Sequence, residues 1–200
     1  DCFMATKNAS SEFRILSLSG GGYLGLYTAV VLADLEARVG EPLGRRFDLI
    51  AGTSVGGLLG LALAYEVPMA QIVKLFVEKG EDIFSARKLP SGAVTRLLDL
   101  TRSVLGPKYT GETLRQELTR HLGERTLGDA LHAVVIPAVD VSRCATKVFK
   151  TPHADTSLGD EDVRAVDVAM ATSAAPAYFP SVQIGHTLYA DGGLFAMAPD

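Results

Sequence analysis

The sequence predicts an α/β protein, a three-layer α/β/α sandwich with a mainly parallel central sheet. Short apolar segments alternate with helical patterns along the chain, which is typical of parallel strands joined by helices. The 200 residues are enough for one domain with a sizeable core. The composition, 48% hydrophobic and 21% charged, excludes a disordered or collagen-like chain.

The first strand–helix unit begins at an apolar segment, residues 14–19, that ends in glycines and therefore predicts a buried strand. A helical pattern follows over 26–39 and stops at Gly40, a residue type common just after helices. The second unit repeats this order, with a buried strand over 47–51 and a very apolar helix over 55–65.

The later elements follow from the same kinds of signal. Pro68 marks the start of a third helix, and leucines recur at i, i+4 and i+8 in a fourth. We predict, in chain order, helices over 69–79 and 113–122, strands over 133–139 and 147–149, and a helix over 163–173.

Two stretches, 15–33 and 49–65, contain no charged residue. Their length is close to the threshold of about 18 residues for a transmembrane helix. Glycines interrupt both stretches, three of them consecutive at 20–22, and a triple glycine is a poor helix centre. We interpret both as buried strand–turn–helix units.

The net charge of −4 gives no reason to propose a nucleic acid polymer as partner. The two cysteines, Cys2 and Cys144, have no metal-ligand spacing and suggest no disulfide framework. No signal peptide is visible. We therefore expect a cytoplasmic protein.

Residues 85–108 form a basic segment, with a charge of +4 against −8 for the rest of the chain. Apolar residues recur within it at helical spacing. Such a segment can lie peripherally on an anionic bilayer. We favour the simpler interpretation, a surface helix that packs on the core with its charges in water.

Ser54 is the central residue of a G-x-S-x-G motif that runs from Gly52 to Gly56. A serine at a sharp strand-to-helix turn needs small neighbours because the chains pass closely there. The turn lifts the hydroxyl above the carboxyl edge of the sheet, where open α/β sheets bind ligands. The motif predicts a nucleophile, although a glycine-rich packing turn has the same pattern.

Gly20, Gly21, Gly22 and Gly25 form a G-x-G-x-x-G motif between a strand and a helix. One interpretation is a dinucleotide site, which requires an acid about 20 residues further on, at the end of the second strand. Asp48 lies instead at the start of that strand. The other interpretation, an oxyanion hole of backbone N–H groups, fits better beside a serine turn.

A serine nucleophile needs a base. Asp191, followed by Gly192 and Gly193, fits a tight turn that exposes the carboxylate, but Asp-Gly is also common in ordinary turns. Spacing alone does not decide between them. Among the histidines, His121, His132, His153 and His186, none lies in a motif, and His186 is the best alternative base because it precedes the acid by five residues.

Together, these motifs resemble those of the patatin-like phospholipases. That family combines a glycine-rich oxyanion loop, a G-x-S-x-G nucleophile and a D-G-[GA] acid, and all three occur here in the family's order. The segment 171–180 is also similar to the family's segment before the acid. The resemblance covers about residues 13–200 and implies a Ser54–Asp191 dyad, an oxyanion hole at Gly20, Gly21 and Gly22, and supporting roles for Gly25, Gly52, Gly56, Gly192 and Gly193.

The resemblance implies hydrolysis of phospholipid or other lipid esters without a metal or cofactor. Similarity is greatest to bacterial effectors of cyclic-nucleotide antiphage defence, on residues 13–23 and 147–153, so we expect a cyclic oligonucleotide activator and peripheral contact with a membrane. We expect residues 1–12 to be a tail, with Asp1–Phe3 a cloning remnant before Met4, and the domain to be cut short at Asp200.

Three departures from the family pattern leave alternatives open. Ser19 replaces the acid that precedes the glycine loop, Leu24 replaces an arginine within it, and Met197 replaces an asparagine after the catalytic acid. Loss of the arginine predicts altered charge recognition, since the backbone donors remain. A non-catalytic binding module with this fold is therefore an alternative, and a dinucleotide-binding oxidoreductase is a weaker one.

Overall fold

The computed structural model describes residues 12–84, 111–152, 159–176 and 178–199. The basic segment 85–108, His153 and most of the N-terminal tail lie outside these residues, so the predictions about them stay predictions.

Within the described residues the chain forms strands and helices in the predicted order, with ends that differ by a few residues. Two further strands near the C-terminus, β5 and β6, are too short for the sequence pattern to indicate. The elements are β1 (Ile15–Leu18), α1 (Gly25–Val39), β2 (Leu49–Gly52), α2 (Val55–Ala64), α3 (Met69–Phe84), α4 (Glu112–Leu122), β3 (Val134–Asp140), β4 (Ala145–Lys150), α5 (Ala165–Thr172), β5 (Val182–Ile184) and β6 (Thr187–Asp191).

The strands form one sheet in the order β1-β2-β3-β6-β5, with β4 also paired to β3. Strands β1, β2 and β3 are parallel, whereas β4 and β6 run antiparallel to β3. Because β5 is antiparallel to β6, it points the same way as the first three strands. The predicted α/β class, with a mostly parallel sheet flanked by helices, is confirmed.

Strand β3 has two partners on one edge. Strand β4 pairs with one edge of β3 along Val135–Asp140. Strands β2 and β6 share the opposite edge. Strand β2 pairs there with Val134 and Val135, and β6 pairs with Ala138–Asp140. The two strands run toward each other along that edge. Their carboxyl ends therefore meet opposite Pro137.

Helix α2 forms the centre of the core. Its ten residues are all buried, and Gly57 and Gly60 let it approach the sheet at Ile50, Val134 and Ile136. This burial explains the uncharged run 49–65. No helix of the described residues is long and apolar enough to span a membrane.

The other described helices lie on the same side of the sheet. The crossovers from β1 to β2 and from β2 to β3 advance in the same direction, and right-handed crossovers of that kind place their helices on one face. Helix α5 packs beside α2 against β3 and β6, while α1 and α4 pack against α3. On the opposite face, Ile15 is exposed and Leu49 and Val135 are half-buried. The described residues therefore contain one of the two helical layers of the predicted α/β/α sandwich.

Candidate active site

Ser54 lies between the end of β2 and the start of α2, with φ 54° and ψ −126°. A positive φ is strained for a residue with a Cβ and persists only where the surroundings impose it. Here they do. A Cβ on Gly52 would overlap the carbonyl of Gly56, and a Cβ on Gly56 would overlap the carbonyl of Leu18. The two glycines of the motif are therefore required by the close passage of the chain.

The structure brings Ser54 and Asp191 together. The Ser54 hydroxyl donates a hydrogen bond of 2.8 Å to Oδ2 of Asp191. The other carboxylate oxygen, Oδ1, accepts from the backbone N–H of Gly193 at 2.6 Å. Asp191 is the last residue of β6, and its own N–H donates to the carbonyl of Ala174. Each carboxylate oxygen thus has one fixed partner.

Asp191 is almost completely buried, with 5% of its surface exposed. Burial raises the pKa of this carboxyl above its ordinary value, because the charged form loses its hydration. The hydrogen bonds from Gly193 and Ser54 oppose that rise only in part. The result is a carboxylate that is a better base than an exposed aspartate.

The glycine motif forms a tight turn between β1 and α1, with a short 3₁₀ helix at Gly22–Leu24. Gly22 has φ 57°, a conformation that favours glycine. Gly21 precedes the 3₁₀ helix and Gly22 is its first residue. Because they lie at its start, neither N–H has an acceptor carbonyl within the helix itself. No acceptor for either N–H is found among the described residues.

Gly20 differs from the expectation that all three glycines serve as oxyanion donors. Its N–H donates to the carbonyl of Met197 at 2.8 Å and so already has a partner. The chain after Asp191 passes back across the glycine turn and places the carbonyl of Met197 against Gly20, the first glycine of that turn. We therefore restrict the candidate donors to Gly21 and Gly22.

Two further glycines of the motifs lie at close contacts. Gly25 begins α1 directly against Val55, the first residue of α2. Gly192 lies against the carbonyl of Pro137, where a Cβ would overlap the oxygen. These contacts join the oxyanion turn to the nucleophile helix, and the acid-bearing strand to β3.

None of the three described histidines lies at the dyad. His186 is exposed in the turn between β5 and β6, at the opposite end of β6 from Asp191 and about 15 Å away at the usual rise per residue. His132 contacts Glu66 at 3.1 Å. His121 lines an apolar groove between α2, α3 and α4. None of the described histidines therefore supports the alternative of a histidine base.

The dinucleotide interpretation also lacks its acid. The carboxylate of Asp48 accepts from the N–H of Arg14 at 2.7 Å, at the amino end of the strands. The glycine turn is at the carboxyl end, so Asp48 cannot reach a ligand held there.

Two of the three substituted family positions, Leu24 and Met197, lie on the turns that flank the dyad. Leu24 is 78% exposed, and Met197 contributes its backbone carbonyl to Gly20 while its side chain packs against Gly193. A bond from a backbone carbonyl does not depend on the side chain at position 197, so the missing asparagine leaves this contact intact.

Sequence reasoning missed Thr172, which touches the nucleophile turn directly. Its Oγ1 accepts from the N–H of Ser54 at 3.0 Å and donates to the carbonyl of Pro137 at 2.7 Å. The only sequence signal was its position in the segment 171–180, which resembles the family pattern. A lone threonine at a helix end gives no hint of partners 118 and 35 residues away.

Comparison with known proteins decides the family. The sequence model of the patatin-like phospholipases matches residues 16–199. The chain belongs to the patatin-like phospholipase family. A "cGAMP-activated phospholipase" of Pseudomonas aeruginosa is 46% identical over 187 residues, which is 94% of this chain and 54% of that protein. This patatin-like chain therefore spans about half the length of the curated relative.

Other relatives agree. A "cGAMP-activated phospholipase" of Vibrio cholerae is 37% identical over 96% of this chain and 57% of its own length. "Patatin-like protein 1" of Arabidopsis thaliana is 36% identical over 86% and 44%, respectively. The crystal structure of VipD from Legionella pneumophila has a TM-score of 0.57 at 13% identity, covering 92% of this chain and 46% of that one. It supports the patatin-like fold. The two bacterial relatives are named as phospholipases.

Proposed function

We propose that this patatin-like chain is a serine acyl hydrolase that cleaves ester bonds of membrane phospholipids, with Ser54 as nucleophile and Asp191 as base. The 2.8 Å hydrogen bond from the Ser54 hydroxyl to the buried Asp191 carboxylate carries this proposal. It joins a strained, glycine-flanked serine to an acid of raised pKa, within a family of phospholipases.

Acylation begins when Asp191 accepts the hydroxyl proton of Ser54 and the oxygen attacks the ester carbonyl carbon. The carbonyl oxygen takes up the electron pair and becomes an oxyanion. When the tetrahedral intermediate collapses, the bond to the alcohol portion of the lipid breaks. That alcohol leaves with the proton returned by Asp191, and the acyl group stays on Ser54.

Deacylation repeats these steps with water. Asp191 takes a proton from the water molecule, whose oxygen attacks the acyl-enzyme carbonyl. The second intermediate collapses to free fatty acid, and Ser54 regains its proton from Asp191. One water is consumed, and the serine and the aspartate return to their starting states.

Gly21 and Gly22 supply the backbone N–H groups for the oxyanion. Donors fixed in advance stabilise the charge that develops in the transition state without reorganisation. The N-terminus of α2, directly after Ser54, adds favourable partial positive charge. We assign Gly25, Gly52, Gly56, Gly192 and Gly193 to support of these turns.

The surroundings of the site suit a lipid surface. Four exposed side chains occupy the two turns that flank the dyad, namely Leu24 beside the oxyanion glycines and Leu194, Phe195 and Met197 after Asp191. An apolar rim of this kind inserts into the acyl region of a membrane without a transmembrane helix. We propose peripheral membrane contact here, in the cytoplasm.

The bacterial relatives are named for activation by cGAMP. We propose the same class of activator, a cyclic oligonucleotide, for this protein and a role in antiviral defence. The catalytic domain would span 13–200, and the chain covers 54% of the Pseudomonas aeruginosa relative named for cGAMP activation.

The test is release of fatty acid from a panel of phospholipid vesicles, with and without cGAMP. We expect Ser54→Ala to lower kcat by about 10⁴-fold or more, because it removes the nucleophile. Full hydrolysis by the Ser54→Ala protein would overturn the assignment.

A fluorophosphonate probe separates this enzyme from a non-catalytic module with the same fold, since only an activated serine is labelled. We expect labelling of wild type and none of Ser54→Ala. An unlabelled wild type, with and without cGAMP, would favour the binding module. Titration with NAD(P) tests the remaining alternative, and we expect no binding.

A further inference from the structure

Thr172 connects parts of the site that are far apart in sequence. It is the last residue of α5 and completely buried. Its hydroxyl accepts the N–H of Ser54 and donates its own proton to the carbonyl of Pro137. The hydroxyl therefore has a fixed orientation, with both its donor and one acceptor site in use.

The Ser54 end of this bridge holds a strained residue. At φ 54°, the N–H of Ser54 joins neither the sheet nor the α2 helix, and Thr172 supplies its acceptor. The conformation at Ser54 sets the direction of Cβ and hence of Oγ. The 2.8 Å contact with Asp191 thus depends on the backbone angles that this bond helps to fix.

The Pro137 end lies where the sheet divides. Strand β2 pairs with β3 up to Val135, and β6 pairs from Ala138 onward, so Pro137 is opposite the gap between them. The same carbonyl that accepts from Thr172 also lies against Gly192, the residue after Asp191. Pro137 therefore contacts the Ser54 turn through Thr172 and the turn after Asp191 directly.

We propose that Thr172 is a positioning residue for the nucleophile: its hydroxyl ties the Ser54 turn to the same point of β3 that locates Asp191. The proposal rests on the proposed function of this site. A purely structural helix cap would bond a carbonyl of its own helix, whereas Thr172 bonds β3 and the nucleophile turn. The Thr172 methyl group packs toward Gly57 of α2, which is a separate packing role.

Three variants separate these roles. Thr172→Val keeps the shape of the side chain and removes the hydroxyl. Thr172→Ser keeps the hydroxyl and removes the methyl group. Ser173→Ala is the matched control, because Ser173 is the adjacent buried hydroxyl and its Oγ has no hydrogen-bond partner among the described residues.

The first readout is steady-state hydrolysis by the purified whole protein, with cGAMP present. We expect Thr172→Val to lower kcat by about 10- to 100-fold with little change in KM, since a mispositioned nucleophile affects the transition state more than lipid binding. Thr172→Ser and Ser173→Ala should stay within about threefold of wild type.

The second readout does not depend on catalysis. Amide hydrogen exchange at Ser54, measured by NMR, should be slow in wild type and in Thr172→Ser and faster in Thr172→Val, because the N–H loses its acceptor. This measurement keeps the inference testable even if the protein hydrolyses no lipid in the assay.

Wild-type kcat in Thr172→Val would overturn the positioning role. So would an equal loss of kcat in Thr172→Val and Thr172→Ser, which would assign the effect to the methyl group. A loss shared by Ser173→Ala would indicate general destabilisation of α5 and also count against it. Failure of the proposed function looks different, since wild type and Ser54→Ala would then be alike.

Discussion

The two uncharged strand–turn–helix units have similar sequences and different surroundings. In the nucleophile unit, β2 and α2, every residue from Ile50 to Gly52 and the whole of α2 are buried. In the oxyanion unit, β1 and α1, only Leu18 of the strand is buried. Helix α1 buries three of its fifteen residues, and Tyr27 is 76% exposed.

The difference follows from position in the sheet. Strand β2 lies between β1 and β3, whereas β1 pairs only with β2 within the described residues. The nucleophile unit is held on all sides, which a strained serine requires. The oxyanion unit lies at the end of the sheet, where α1 packs on α3 and the Gly20–Met197 hydrogen bond holds the glycine turn, and it leaves backbone N–H groups accessible to substrate. The nucleophile unit thus holds Ser54 rigidly, whereas the oxyanion unit leaves its donor N–H groups open to substrate.

The largest expected effect tests whether the chemistry depends on the buried acid that faces the nucleophile unit. Asp191→Asn should lower kcat by about 10⁴-fold, because the amide cannot accept the Ser54 proton. His186→Ala, at the far end of the same strand, is the matched control and should keep wild-type activity. The measurement is kcat on phospholipid vesicles. Loss of activity in the histidine variant alone would mean that the dyad is misassigned.

Asp191 also predicts the pH dependence. Its pKa is raised by burial, so the basic form is present only above that raised value. The acidic limb of kcat/KM should therefore lie at higher pH than the value of about 4 for an ordinary carboxyl. An acidic limb at or below pH 4 would contradict this origin of the base.

The same shift has a consequence for stability. A carboxyl whose pKa is higher in the folded than in the unfolded state stabilises the fold below the unfolded pKa, and this contribution is lost as the pH rises through the folded pKa. At neutral pH the ionised Asp191 therefore weakens the fold. We expect Asp191→Asn to unfold at the same temperature as wild type or above it. A clear decrease in Tm at pH 7 would contradict this.

Gly56→Ala tests the rigidity of the nucleophile unit. The added Cβ would overlap the carbonyl of Leu18, so the β1–α2 contact must open. We expect the free energy of unfolding to fall by about 1–3 kcal/mol and kcat by about 10²-fold. Gly60→Ala in the same helix is the control, since its Cβ would meet only side-chain atoms, Ile50 at 3.3 Å and Ile136 and Val134 at 3.8 Å, and we expect a smaller loss of stability and wild-type kcat. Denaturant unfolding and vesicle hydrolysis measure both quantities.

Gly22→Ala tests the oxyanion unit. Its Cβ would meet nothing within 4 Å, so the cost is the positive φ alone, about 1 kcal/mol of stability. A small rotation of the donor N–H should lower kcat by about 10-fold. Gly185→Ala is the control, because it carries the same backbone strain at φ 59° in the exposed β5–β6 turn. It should lose a similar amount of stability and keep wild-type kcat. Equal kcat in the two variants would argue against an oxyanion role for this turn.

Much of this site was predictable because its parts are local in sequence. The G-x-S-x-G motif, the triple glycine and Asp191-Gly192-Gly193 each occupy a few consecutive residues, and each predicts its own turn. The strands and helices with clear periodicity were predictable for the same reason. Strands β5 and β6, of three and five residues, give too little pattern to distinguish from a loop.

The unpredicted features are contacts between distant segments. Two such contacts are the hydrogen bond from Gly20 to Met197 and the bridge that Thr172 makes between Ser54 and Pro137. Both depend on how β2 and β6 share one edge of β3. No residue type or spacing encodes that arrangement. The uncharged runs 15–33 and 49–65 have similar apolar content, so composition alone does not show which of the two strands lies between neighbouring strands in the sheet.

The smallest expected effect concerns the exposed rim of the oxyanion unit. Leu24→Ser removes an apolar side chain that contacts little of the protein, so the free energy of unfolding should change by less than about 0.5 kcal/mol. If the rim enters a membrane, the variant loses part of the transfer energy of one leucine, and vesicle binding should weaken about three- to tenfold. Co-sedimentation with liposomes measures this.

The matched control is Leu131→Ser, a leucine 61% exposed before β3, at the amino end of the sheet and away from the dyad. It should leave vesicle binding unchanged. Hydrolysis of a short-chain, water-soluble ester should be the same in both variants, because neither side chain touches Ser54 or Asp191. Equal vesicle binding by Leu24→Ser and Leu131→Ser would place the membrane contact elsewhere. The oxyanion unit would then be exposed for substrate entry alone.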